Sequence, residues 1–406
     1  MKLVFHDPQF SFQLLRAIGQ ALYGGADIGE CLSTAYRIKE GNFESWYEEW
    51  RKTADRVCKV ADKCLAGGHN VSAREAYLRA SNYYRTAEFF LHGDPTDPRI
   101  VATWRKSREC FSKTAQLFPP PFVAVEIPYE GTTLPGYFFR VDDSGTPRPT
   151  LILQTGFDGT AEELYFGGAA AATRRGYNCL TFEGPGQGRV IREQKVYFRP
   201  DWEKVVTPVV DYALTRPEID PDRIALMGLS LGGYLAPRAV AFEHRIAACI
   251  ADGGVFDAFE GAVAKYPESP EAITEFLIRD PKAYDAMTRE MTKSNTELRW
   301  AVQDGMWKFG AAAPSEWMLK FAEYTMKDIA DKITCHMLVI DSEAEQSFPG
   351  QAKKLYDALT CKKEFMLFTR EETAEEHCQV GAMAISHQRI FDWLDKTFAR
   401  IAGEQS

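Results

Sequence analysis

The sequence offers little that would hold nucleic acid, metal or membrane. Lysine and arginine number 48 against 57 aspartates and glutamates, a formal charge of −9, with both signs interspersed. Without a basic stripe, nucleic acid is not an expected partner, and modest negative charge favours solubility without naming another. The nine cysteines (31, 58, 64, 110, 179, 249, 335, 361 and 378) contain no CxxC pair, and their number is odd. That argues against a zinc site and against a secreted disulfide framework. Reduced thiols in a cytoplasmic protein without metal are expected instead. Asn70-Val71-Ser72 has the form of a glycosylation sequon, which matters only behind a secretion signal. The opening MKLVFHDPQF carries one lysine and a short apolar run broken by His6-Asp7-Pro8, so it does not read as such a signal. No apolar run approaches the roughly 18 residues of a membrane helix. Internal repeats and low-complexity segments are absent too.

What remains is ordinary globular material: 406 residues, 45% hydrophobic and 26% charged, enough for two domains or one large domain with an accessory. A chain this long buries a core without a disulfide or metal staple. Residues 1–121 read as a helical domain. Ser72-Ala-Arg-Glu75 has the capping-box pattern, and Tyr77, Ala80, Tyr84, Ala87 and Leu91 then fall on one helical face, as core packing requires. A second helix is predicted from Pro98 to Leu117. Pro119-Pro120-Pro121 marks the boundary, and a hairpin about Glu130-Gly131 follows.

Residues 122–406 then alternate strand and helix, which predicts an α/β domain with a mostly parallel sheet and helices on both faces. Strands are expected at 150–155, 177–182, 223–227, 246–251, 335–341 and 363–368. Helices are expected at 161–175, 201–215, 231–243 and 380–399. Between about 254 and 331 the strand pattern lapses, and Trp300, Trp307 and Trp317 sit in a predicted helical insertion.

One motif carries chemistry. Gly228-Leu229-Ser230-Leu231-Gly232 lies between an apolar strand and a helix, the context in which GxSxG lifts a serine above a sheet edge on a strained turn. The helix N-terminus beneath it favours developing negative charge. A serine hydroxyl needs a neighbouring base. Of the seven histidines (6, 69, 92, 244, 336, 377 and 387), only His377 lies in the loop after the last strand. His336 begins a strand, and His387 falls inside the last helix as a packing or surface residue. The acid should follow the strand ending near Ile340. Glu345 is preferred, Asp341 is the reserve, and Asp252 after the preceding strand is a third geometry. The oxyanion donors are expected to be the N–H groups of Leu231 and of Phe157, the latter in the turn Thr155-Gly156-Phe157-Asp158-Gly159. Gly156, Asp158 and, among the helices, Tyr84 are the substrate-contact candidates. Gly184-Pro-Gly-Gln-Gly188 lacks the following Lys-Ser/Thr of a phosphate loop and is read as a rigid turn beside the site.

With these residues in view, the chain resembles the α/β-hydrolases. The closer likeness is to the subgroup with a helical N-terminal domain that includes 2,6-dihydroxypseudooxynicotine hydrolase, FrsA-like esterases and fungal polyketide-shortening or tailoring hydrolases. The likeness rests on Gly156-Phe-Asp158, Gly184-Pro-Gly-Gln-Gly188, Gly228-Leu-Ser-Leu-Gly232, Phe348-Pro-Gly-Gln351 and Glu376-His-Cys-Gln379. Glu345 departs from it, because that pattern most often has Asp there. The resemblance implies an N-terminal helical cap, a small-molecule substrate, a homodimer and no cofactor. It also implies carbon–carbon cleavage beside a ketone in some members, and ester cleavage or ring closure in others. A serine hydrolase acting on a small acyl or keto compound is therefore expected. A carboxylesterase or thioesterase is the first alternative. The second is a ring-closing or ligand-binding protein, suggested by the aromatic residues Tyr83, Tyr84, Phe89, Phe90, Trp307 and Trp317.

Overall fold

The structure, a computed structural model, describes residues 3–405. It divides into two compact units: the residues up to Val123 with Lys282–Pro314, and Ala124–Pro281 with Ser315–Ser406. The stretch 254–331, expected as one insertion in the second domain, is thus divided, and 282–314 belong with the N-terminal helices.

The first unit is helical. Helices Pro8–Gly19, Ile28–Ala35, Phe43–Ala66 and Pro98–Thr114 each start on an Asp or Asn whose side chain accepts a backbone N–H of the first turn. The helix Asn70–Glu88 does not use the predicted capping box. It begins two residues before Ser72, after His69, which makes no side-chain cap. The reason is the tight turn before it, where Gly68 takes φ +73° and His69 N–H donates to Cys64 O, so helical geometry resumes at once. The predicted face holds: Tyr77, Ala80, Tyr84, Ala87 and Leu91 all enter a core with Phe10, Trp46 and Trp50. The aromatic stripe also explains why 282–314 joins this unit. In the helix Thr296–Lys308, Trp300 stacks on Phe89 at 4.6 Å and donates its indole N–H to Phe89 O.

The second unit is an eight-stranded sheet: β1 Val123–Tyr129, β2 Thr132–Phe139, β3 Arg148–Gln154, β4 Asn178–Phe182, β5 Ile219–Leu229, β6 Ala248–Asp252, β7 His336–Ser342 and β8 Lys363–Phe368. The order is β1-β2-β4-β3-β5-β6-β7-β8. The strands from β4 to β8 are parallel, and β2 joins β4 antiparallel. Every residue of β4 and β6 is buried, as central strands covered on both faces must be. The register sets the site. Gln154 pairs with Gly228, Leu229 with Asp252, and Asp252 with Ile340, so β3, β5 and β6 end within a residue of one another and β7 runs two residues further. The chain leaves β3 for β4 on one side and returns as β5 on the other. That reversal opens a crevice at the carboxyl ends of β3 and β5. The helix expected at 161–175 is only partly regular, a π-helical turn Tyr165–Ala169 leading into Ala170–Arg174.

Candidate active site

The GxSxG turn forms the strained corner its spacing predicts. Ser230 takes φ +61°, a conformation side chains avoid. Its N–H donates to Asp252 O at 2.8 Å and its carbonyl accepts Gly233 N–H at 2.7 Å, which ties the corner to β6 and to the helix Gly232–Val240. Glycine is required at 228 by close approach, since a Cβ there would lie 2.1 Å from Gly232 O. At Gly156 a Cβ would lie 2.4 Å from Leu229 O and 2.6 Å from Leu231 N, so the turn after β3 rests directly on the serine corner.

Three of the predicted residues meet. Ser230 Oγ lies 2.8 Å from His377 Nε2, and His377 Nδ1 lies 2.5 Å from Glu345 Oε2. The other Glu345 oxygen accepts the N–H groups of Ser347 (2.6 Å) and Phe348 (3.1 Å), so the carboxylate is fixed in aim. The His377 and Glu345 side chains are 12% and 6% exposed, which keeps water from screening the pair. The two reserve acids stand elsewhere. The Asp341 carboxylate accepts the N–H of Ser342, and Asp252 accepts from Gln379 Nε2 at 3.1 Å.

Electrostatics follow from this placement. Burial raises the Glu345 carboxyl, but His377 and the two N–H donors outweigh it and hold it below the usual range. Burial works against a charge on His377. Cys378 and Glu345 work for one and prevail, so its pKa stands well above the ordinary imidazole value. The Cys378 thiol is itself pushed up to about 11 by burial, so at neutral pH the negative charge comes from Glu345. Burial also lifts Asp252 to about 6 and raises Asp341.

The turn after β3 is held by a residue the sequence did not single out. Gln187, fully buried in the Gly184–Gly188 turn, donates through Nε2 to Thr155 O (3.0 Å) and Gly156 O (2.9 Å) while its Oε1 accepts Gly184 N–H (2.9 Å). In a trans peptide the C=O and the next N–H point opposite ways. Pinning Gly156 O therefore aims the Phe157 N–H away from Gln187. A polar side chain between two glycines was the only signal for this in the sequence. Leu231 is buried directly after Ser230, and Phe157 and Asp158 are half-buried. The Phe157 ring stacks on Phe198 at 6.3 Å and tilts against Trp317 at 6.5 Å, and Trp317 continues through Phe321 to Phe348.

Tyr84 is a correction. It lies in the core of the helical unit, 2% exposed, with its hydroxyl donating to Asp55 at 2.6 Å, so its polar group is already used in packing. Tyr83, likewise buried, donates to Glu30. His387 is a packing residue, with Nε2 on Gly167 O at 3.1 Å and its pKa pulled down to about 4 by burial. Among the described residues no group of three or more His, Cys, Asp or Glu is placed to hold a metal ion. Nor is any helix among them long and apolar enough to cross a membrane.

A profile described as the alpha/beta hydrolase family matches residues 134–364. The chain is similar over 98% of its length to Hydrolase LUC6 of Fusarium sp (36% identical, 98% of that chain covered). It is similar over 98% to the 20-hydroxy-prefusarin hydrolase FUS2 of Gibberella moniliformis (37% identical, 99% of that chain covered). The solved structure of the 2,6-dihydroxy-pseudo-oxynicotine hydrolase matches its fold with a TM-score of 0.73 at 22% identity, over 93% of this chain and 94% of that one. The chain therefore belongs to the alpha/beta hydrolase family and is an enzyme of that family.

Proposed function

We propose that the protein is a serine hydrolase in which Ser230 is the nucleophile, His377 the general base and Glu345 the orienting acid. The observation that carries this is the continuous chain from Ser230 Oγ through His377 to Glu345, at 2.8 and 2.5 Å. His377 Nε2 takes the hydroxyl proton as Ser230 attacks a carbonyl carbon. The N–H groups of Leu231 and Phe157 receive the oxyanion, where fixed donors act most strongly. Collapse expels the leaving group, which His377 reprotonates. A water deprotonated by His377 then releases the acyl group and restores the serine.

The substrate is a small acyl or keto compound, and the bond we favour is the carbon–carbon bond of a diketone- or polyketide-like molecule, broken in retro-Claisen fashion. The leaving carbon departs as an enolate, so the neighbouring ketone stabilises it. Two things support this: the aromatic wall from Phe198 through Phe157 and Trp317 to Phe348, suited to a flat conjugated acyl chain, and the likeness to the hydrolase named for 20-hydroxy-prefusarin. A panel of β-diketones and p-nitrophenyl esters tests the reading. Diketone cleavage lost in Ser230→Ala is the expected result. Fast ester turnover with inert diketones would make the protein a carboxylesterase or thioesterase, and near-wild-type turnover by Ser230→Ala would remove the serine from the mechanism.

A further inference from the structure

We propose that Gln379 is a positioning residue that holds the His377 imidazole in line between Ser230 and Glu345 by tying the ends of β6, β7 and the final helix to the histidine loop. The inference rests on the reading of Ser230, His377 and Glu345 given above and assigns the part that sets their alignment.

The histidine loop needs such a tie. After His377 the chain passes through two consecutive left-handed residues, Cys378 at φ +48° and Gln379 at φ +49°. Neither is glycine, and such a conformation persists only where the surroundings enforce it. Backbone bonds close the turn, from Gln379 N–H to Glu376 O and from Ala382 N–H to Gln379 O, both at 2.8 Å. They fix its curvature; the loop is attached to the strand ends by Ala344 N–H on Glu375 O (2.9 Å) and Cys378 Sγ on Asp252 O (3.6 Å), neither of which reaches both β6 and β7.

The Gln379 side chain reaches both strands. It is fully buried, and both ends of its amide are engaged. Nε2 donates to Asp252 Oδ1 at 3.1 Å and to Ser342 Oγ at 3.2 Å, and Oε1 accepts from Ser386 Oγ at 2.8 Å. Each partner leads to the triad. Asp252 O accepts the N–H of Ser230 at 2.8 Å, and Ser342 O accepts the N–H of Glu345 at 3.0 Å. Ser386 lies in the first turn of the final helix, Met383–Gln405. One side chain thus joins the backbone neighbours of the serine and the glutamate to the loop carrying the histidine. Only an amide suits the position. A carboxylate would face Asp252, and an apolar side chain would leave that buried carboxylate without this donor. Burial lifts Asp252 to about 6 even with the Gln379 donor pulling it down.

The test uses the full-length protein carrying Q379L, Q379E or Q379E/D252N. A fluorophosphonate probe reads serine reactivity without a known substrate, and the low-field N–H proton resonance of His377 reads its bond to Glu345 independently of activity. The Q379L protein should label on the order of 10²-fold more slowly, the scale of loss from a 1 Å misplacement, with the His377 resonance shifted or broadened. The Q379E protein should lose further ground as pH rises and the two facing carboxylates ionise together. In Q379E/D252N the donor and acceptor change places, so labelling should recover to within a few-fold of wild type. A folded Q379L protein that labels at the wild-type rate with an unmoved His377 resonance would overturn the inference, as would a double variant no faster than Q379E. Wild-type protein that never labels would instead count against Ser230 as nucleophile, while the His377 resonance still reports on Gln379.

Discussion

Glu345 is where the electrostatics of the site become measurable. Its carboxylate is buried, aimed by two N–H donors and set on His377 Nδ1. In the proposed mechanism it has two separable effects: it orients the ring, and it stabilises the imidazolium. Glu345→Gln keeps the shape and removes the charge. An amide can also present its NH₂ to Nδ1 and favour the wrong tautomer, so kcat is expected to fall by about 10²–10⁴-fold. The pH profile moves in a defined direction. A negative neighbour raises an imidazole pKa, and His377 sits well above the ordinary value. Wild-type kcat/KM should therefore rise with pH through that elevated value, as the imidazole loses its proton and becomes a base. In Glu345→Gln the limb should move to lower pH even as the plateau drops. A limb that stays in place would show that Glu345 does not set the charge of His377.

At the scale of elements, the turn after β3 and the corner after β5 act as one piece. A Cβ on Gly156 would stand 2.4 Å from Leu229 O, so the turn must shift to make room. Gly156→Ala should therefore fold, with a lowered melting temperature from overpacking. It should lose about 10²–10³-fold in kcat as the Phe157 donor is displaced; a melting curve beside steady-state kinetics checks both, and unchanged kcat would mean that Phe157 is not a donor. This coupling also shows what a sequence can disclose. Strands with uniform apolar runs were legible to within a few residues, because burial on both faces leaves a composition signal. That Ser230, His377 and Glu345 meet was legible because chain order around a parallel sheet restricts which loops can come together. The ties made by Gln187 to Thr155 and Gly156, and by Gln379 to Asp252 and Ser342, were not, since each spans 31 or more positions. The start of the helix Asn70–Glu88 was misplaced for a related reason. Ser72 had the right partner spacing, but the preceding Gly68 turn decided where the helix began.

On the scale of the whole molecule, the two units are held by different physics, and pH should separate them. The sheet unit rests mainly on apolar strands buried on both faces, with its buried ion pair confined to the His377–Glu345 end. The helical unit carries a buried cluster of charges: His92 Nε2 on Glu88 at 2.7 Å, His92 Nδ1 on Asp304 at 2.7 Å, and Lys308 Nζ on Asp304 at 2.8 Å, with all four side chains at most 3% exposed. Both ring nitrogens face carboxylates, so the ring must be an imidazolium to donate twice. Burial opposes that charge, yet Glu88 and Asp304 prevail and raise the His92 pKa. A group whose folded pKa exceeds its unfolded value of about 6.5 binds more protons in the native state. Its stabilisation is complete below that unfolded value and is lost as pH climbs through the folded one. The helices Asn70–Glu88 and Thr296–Lys308, far apart in sequence and joined by this cluster, should loosen together over that range. Amide exchange corrected for its intrinsic pH dependence should accelerate in both helices as pH rises, while β2 and β4, which carry no part of the His377–Glu345 pair, do not follow. His92→Phe should flatten this dependence and destabilise the helical unit by about 3–5 kcal/mol, because two buried carboxylates lose the cation between them. Equal acceleration in helices and sheet would mean that the cluster does not govern the helical unit separately.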